Sequence, residues 1–120
     1  MALSVNGNKK IATLKKEFNE HFPYLKLLIF CGNDRSYDYN YLTLGQMRTI
    51  KGNGSVSISG NKTIGALEKD FKTNFGLTAE VGFTDKNGKP FYTGSSYNST
   101  TLSSLNTQCQ KNKCKKGVWK

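Results

Sequence analysis

The residues best suited to a chemical task are lysines concentrated near the end of the chain. Lys111, Lys113, Lys115 and Lys116 lie within six positions, and residues 101–120 contain five Lys and no acidic residue. This segment therefore supplies half of the formal net charge of +10. Ammonium groups at this density attract an anionic partner such as nucleic acid, mainly through its phosphates. The alternative is a terminal tail whose charge only aids solubility.

A second group of lysines lies at the start of the chain and consists of Lys9, Lys10, Lys15 and Lys16. These residues precede or belong to a predicted helix, on the side opposite its apolar stripe. We expect them to assist the C-terminal lysines in binding phosphate.

Three tyrosines form the most specific constellation in the sequence. Tyr37, Tyr39 and Tyr41 alternate with polar residues, so in a strand all three rings would share one face. Exposed rings on a sheet can stack on unpaired bases while nearby cations hold the phosphates. The same pattern also fits a half-buried strand whose rings seal the core, and that arrangement is the more common one.

The sequence indicates neither catalysis nor a metal or cofactor site. His21 is the single histidine, and no catalytic triad is evident around it. A typical catalytic zinc site would need a second imidazole, which the sequence lacks. Cys31, Cys109 and Cys114 are odd in number and lack the spacing of a disulfide framework. We therefore predict a protein that is not an enzyme and that uses no metal or cofactor.

The elements that must position these residues are repeated in the sequence. Residues 7–22 and 60–75 share the pattern Gly-Asn-Lys-x-Ile-x-x-Leu-x-Lys-x-Phe-x-x-x-Phe, and nine of 24 positions are identical between 7–30 and 60–83. A period near 50 residues indicates one supersecondary unit used twice. The two copies span about residues 3–50 and 55–108.

Each copy predicts a strand, an amphipathic helix, a second strand and a short helix. Asn8 and Asn61 are the predicted N-caps, and the helical stripes are Ile11, Leu14, Phe18, Phe22 and Ile64, Leu67, Phe71, Phe75. The apolar run 24–31 predicts a central, buried strand. In the second copy, Asn87-Gly88 predicts a hairpin whose returning strand, led by Pro90, lies at an edge.

Two such units predict a two-layer α+β domain over residues 1–108, followed by a basic extension at 109–120. A ferredoxin-like βαββαβ sheet with helices on one face is the simplest arrangement. Two smaller halves packed on each other are the alternative. The duplicated pattern resembles that of a group of small bacterial proteins with the same duplication, and this resemblance implies no activity and no site residues.

These features predict a binding module for an anionic partner, most simply nucleic acid held through phosphate contacts. The alternative is a protein-interaction module whose positive charge only aids solubility or meets an acidic protein, because Phe91-Tyr92 and the tyrosine face could together form an aromatic patch. The sequence contains no apolar signal core near its first residues and no apolar run of 18 residues, so we expect a cytoplasmic protein without a membrane span.

Overall fold

The computed structural model describes residues 3–30, 43–47, 56–93 and 97–118, and these form a compact α+β domain. The elements in chain order are β1 (Leu3–Val5), α1 (Ile11–His21), β2 (Lys26–Phe30), α2 (Leu44–Met47), β3 (Val56–Ile58), α3 (Ile64–Phe75), β4 (Thr78–Thr84), β5 (Pro90–Tyr92) and α4 (Leu102–Lys111). Their buried apolar side chains form one continuous cluster.

The two long predicted helices are confirmed, and so are their apolar stripes, whose eight residues are all buried. The predicted caps are wrong. Lys10 is the N-cap of α1 and makes no side-chain cap bond, whereas Thr63 caps α3 by accepting from the amide of Ala66 at 3.2 Å. Asn8 and Asn61 lie in turns that precede the helices, because the chain must first turn out of β1 or β3.

The described strands form two antiparallel sheets, one of β1 and β3 and one in the order β2-β4-β5. In the first, Ser4 lies opposite Ser57, and in the second Leu28 lies opposite Glu80. The single sheet of a ferredoxin-like arrangement is therefore not what these strands form. Among the described strands, β1 pairs only with β3, and β2 pairs with β4 in a separate sheet.

Among the described strands, β4 occupies the centre of its three-stranded sheet, whereas the sequence predicts a central position for β2. Within the described residues, β2 pairs with β4 on one side. Helices α1 and α3 cover the face that carries Leu27, Ile29, Ala79 and Val81, all of them buried. Edge strand β5 is confirmed, and all three of its residues are exposed.

The boundary that we predicted at residue 108 falls inside α4. This helix starts at the Thr101 cap and ends at Lys111, and both Cys109 and Cys114 belong to the buried core. The described part of the predicted extension, residues 109–118, is thus packed on the domain. In the described part of the chain, no helix has the length and apolar character needed to cross a membrane.

Candidate nucleic-acid interface

The C-terminal lysines lie around the end of α4. Lys113 has a left-handed backbone with φ 59°. Its amide donates to the carbonyl of Gln110 at 3.2 Å, and the amide of Cys114 donates to the carbonyl of Cys109 at 2.9 Å. These two bonds define a Schellman motif, which ends the helix and buries the side chains of its flanking apolar residues, here the two cysteines. The lysines on either side are exposed: Lys111, Lys113, Lys115 and Lys116.

The segment after this turn is hydrogen-bonded to three parts of the domain. The amide of Lys115 donates to the carbonyl of Thr84 at 2.8 Å, and the amide of Gly117 donates to that of Pro23 at 2.8 Å. The buried side chain of Asn19 donates to the carbonyl of Val118 at 3.3 Å. The lysines are therefore carried on a backbone that is held in place at both ends of the segment.

The bond to Thr84 brings this segment to the end of β4, beside the turn of the β4–β5 hairpin. The hairpin turn is organised by Asp85, whose carboxylate accepts from the amides of Asn87 at 2.9 Å and Lys89 at 2.8 Å. Gly88 has φ 85°, so the turn has the three-residue form with a left-handed glycine rather than the two-residue form that Asn-Gly alone predicts.

The hairpin and the C-terminal segment together are strongly basic. Residues 84–92 and 109–118 contain six lysines and one acidic residue, Asp85. The carboxylate of Asp85 already accepts hydrogen bonds from two amides of the turn. Two of the six, Lys86 and Lys89, come from the exposed turn. Such a surface attracts phosphates and repels other cations.

Two exposed aromatic rings lie on the outer strand of this hairpin. Phe91 is 38% exposed and Tyr92 is 46% exposed, and they are the large apolar side chains exposed in the described part of the chain. The ring of Phe91 stacks on that of Phe83, with centroids 5.6 Å apart and planes inclined by 19°. The ammonium of Lys89 lies 5.5 Å from the centroid of the Phe91 ring.

The ring of Tyr92 is positioned by a glycine on the neighbouring strand. Gly82 lies opposite Tyr92 on one side and opposite Lys26 on the other. A Cβ atom at Gly82 would lie 2.8 Å from the carbonyl oxygen of Phe91 and 3.1 Å from Cδ1 of Tyr92, so the missing side chain lets the strands and the ring approach. The ammonium of Lys26 lies 5.5 Å from the Tyr92 centroid, and burial lowers the pKa of this lysine.

The predicted lysines of the first helix differ in their distance from the C-terminal segment. Lys9 pairs with Glu17, with 2.6 Å between the ammonium and the carboxylate. Lys10 and Lys16 are exposed, and Lys15 is half-buried. The C-terminal segment touches α1 at Asn19, which along the helix axis is roughly 14 Å from Lys10 but only about 5–6 Å from Lys15 and Lys16.

The predicted stacking residues Tyr37, Tyr39 and Tyr41 lie outside the described residues, as does Cys31, and these interpretations stay predictions. Sequence reasoning missed Lys26, Lys86 and Lys89. The signal for the last two was present, because Lys-Asn-Gly-Lys places a lysine on each side of the hairpin turn. Their proximity to the C-terminal lysines depends on a contact between residues 84 and 115, which no local pattern encodes.

The thiol of Cys109 is not set up to react. Burial raises the pKa of Cys109 to about 12, and the neighbouring Cys114 adds to this by its charge and by a hydrogen bond. The thiolate is the reactive form of cysteine, so such a thiol is a poor nucleophile at neutral pH. Within the described ranges, no three His, Cys, Asp or Glu residues are grouped so that they could hold a metal ion.

The geometry can therefore present cations and two aromatic rings to a polyanion. Comparisons with protein-family models, with curated proteins and with solved structures find no match to this chain.

Proposed function

We propose that this protein is a non-enzymatic binding module for nucleic acid that acts mainly through phosphate contacts. The observation that carries the proposal is the hydrogen bond from Lys115 to Thr84, which joins the C-terminal lysines to the hairpin lysines. Lys111, Lys113, Lys115 and Lys116 are the principal contacts. A polyanion binds such a surface by releasing the counterions that had neutralised its phosphates.

The other predicted residues have secondary roles in this proposal. Lys10, Lys15 and Lys16 extend the positive field along α1, and Lys9 joins them only if its ion pair with Glu17 opens. Tyr37, Tyr39 and Tyr41 stay candidate stacking residues. We also propose a cytoplasmic location, where nucleic acid is available.

We further propose that the chain is a duplicated unit, with its halves paired across two sheets. Corresponding contacts support this. The amide of Leu44 donates to the carbonyl of Lys9 at 3.0 Å, and the amide of Leu102 donates to that of Lys62 at 3.0 Å. The pair Lys62–Asp70 likewise corresponds to Lys9–Glu17.

Fluorescence anisotropy with labelled mixed-sequence DNA, at two salt concentrations, tests the binding proposal. We expect the double substitution Lys115→Gln/Lys116→Gln to weaken binding and to lower the slope of log K against log salt by about 1 to 2, because each phosphate contact contributes roughly 0.7 to 0.9. The matched control is Lys69→Gln/Lys72→Gln, which removes two exposed charges from α3. Equal effects of the two pairs would argue for net charge alone, and absence of binding at low salt would refute the proposal.

Recognition of a protein through the apolar rings of Phe91 and Tyr92, with the positive charge only aiding solubility, is the second candidate, and the exposure of the two rings favours it. An interface built mainly on these apolar rings would depend little on ionic strength, whereas phosphate binding weakens steeply as salt rises. The salt series above therefore separates the two candidates.

A further inference from the structure

We infer that the hairpin edge is a stacking platform for unpaired bases, with the ring of Phe91 on one side of β5 and the ring of Tyr92 on the other, so that the preferred ligand is single-stranded nucleic acid. This inference rests on the proposed function, because the surrounding lysines must hold the phosphates. It adds a role for two residues outside the predicted binding site, and it adds a preference between strand forms.

Phe91 is held ready for stacking before any ligand arrives. Its ring is fixed on one side by the stacked ring of Phe83, and 38% of the residue remains exposed. Lys89 lies over the same ring and is itself exposed, so its ammonium can move to a phosphate when a base takes its place. A ring that is already ordered loses little conformational entropy on binding.

Tyr92 is supported in a different way. Successive side chains of a strand point to opposite faces, so Tyr92 and Phe91 lie on different sides of β5. Because Gly82 on the intervening strand β4 has no side chain, the Lys26 ammonium can approach the ring of Tyr92 across that strand. Lys26 is buried, so it supports the ring and does not compete for the ligand. Nearly half of Tyr92 remains exposed for contact.

The backbone of this edge disfavours a peptide that would add as a further strand. The carbonyl of Lys89 accepts from the amide of Asp85 at 2.9 Å, and the amide of Thr93 donates to the carbonyl of Val81 at 3.0 Å. Because these bonds alternate along an antiparallel strand, the backbone groups of Pro90 and Tyr92 point away from β4. Proline has no amide hydrogen, which leaves Tyr92 as the outward amide donor within β5. The edge thus offers an added strand one amide donor where an edge without proline would offer two, and it presents exposed rings and cations beside it.

The charge around the rings suits a phosphodiester chain. Lys86 and Lys89 flank the turn, and the backbone of Lys115 contacts the strand that pairs with β5. Rings bordered by cations bind single strands because every base has a face that can stack, whereas the bases of a duplex are already stacked on one another. The platform therefore distinguishes the two forms of nucleic acid.

The test compares a labelled single strand of DNA, the same sequence as RNA, its duplex, and polyphosphate, which has charge but no bases. We expect Tyr92→Ala and Phe91→Ala each to weaken single-strand binding by about 5- to 100-fold, since one stacked base contributes roughly 1–3 kcal/mol and 1.4 kcal/mol is tenfold. Duplex and polyphosphate binding should change by less than about twofold. Tyr92→Phe is the matched control and should keep most of the affinity, and thermal melts verify that each variant is folded.

The outcomes separate this inference from the proposed function. Single-strand binding that survives both alanine substitutions, or that is weaker than duplex binding, overturns the platform while leaving phosphate binding intact. Equal losses for polyphosphate and for single strands would also overturn it, because stacking cannot act on a ligand without bases. Failure of every ligand to bind at low salt overturns the proposed function itself.

Discussion

At the scale of single residues, Lys113 stands where a helix end usually carries glycine. It occupies the left-handed position of the Schellman motif at the end of α4 with φ 59°. A side chain in this conformation costs roughly 1–2 kcal/mol, which glycine avoids. In the proposed function, the ammonium at this position contributes to phosphate binding, so binding and stability make opposite demands on one residue.

We therefore expect Lys113→Gly to stabilise the protein and to weaken nucleic-acid binding at the same time. The gain in free energy of unfolding should be about 0.5–1 kcal/mol, because relief of strain exceeds the extra entropy that glycine loses on folding. Urea unfolding measures it. Lys111→Gly is the control and should have the opposite effect on stability, because that position is helical. A loss of stability in both variants would contradict this explanation.

Cys109 leads to a prediction about pH. Since burial raises its pKa to about 12, the thiol stays protonated in the folded protein well above neutral pH. At pH 8 we expect iodoacetamide to modify Cys109 more than about 100-fold more slowly in the native protein than in urea, where the pKa returns to its usual range. Peptide mass spectrometry resolves this cysteine from the others. Similar rates in the two states would show that the thiol is accessible and ionised.

At the scale of elements, the residue that starts a helix depends on the path of the preceding turn. The apolar stripe of α3 is evident from spacing alone, and it also indicated which residues are buried. The cap was not evident, because Asn61 and Thr63 are both good capping residues. The amide of Lys62 donates to the carbonyl of Ser59, and this turn delays the first helical residue to Ile64.

Substitutions at these two candidates test which one caps the helix. Thr63→Ala should lower the free energy of unfolding by about 1 kcal/mol, because the amide of Ala66 loses its acceptor. Asn61→Ala should leave stability within about 0.5 kcal/mol, since this exposed residue precedes the cap. Chemical denaturation of both variants decides the matter. A larger loss at Asn61 would restore the cap that the sequence favoured.

At the scale of the whole molecule, the sequence predicted the elements and their order but not how they pair. Hydrophobic spacing is local, and it correctly identified α1 and α3 with their buried stripes, while the local pair Asn87-Gly88 identified the hairpin. Pairing of β2 with β4 joins residues about 50 positions apart, and the contact of Lys115 with Thr84 joins residues 31 positions apart. Such contacts are decided by the packing of the complete core, so the sheet arrangement and the basic surface could not be derived from the sequence.

The same long-range contacts determine what the C-terminal segment does for stability. Deletion of residues 109–120 would remove Cys109 and Cys114 from the core and the backbone bonds to Thr84 and Pro23. We expect the free energy of unfolding to fall by about 2 kcal/mol or more, from lost burial, lost hydrogen bonds and a shortened α4. Thermal and urea unfolding measure this loss.

Lys115→Gln/Lys116→Gln provides the control for that deletion, because it removes charge and keeps every backbone bond of the segment. Both side chains are exposed, so we expect stability to stay within about 0.5 kcal/mol of the unsubstituted protein. A deletion that proved equally stable would mean that the segment is a separate tail after all. If stability falls as expected, loss of nucleic-acid binding on truncation reports unfolding as well as lost contacts. The substituted full-length chain then becomes the variant that isolates the role of the lysines.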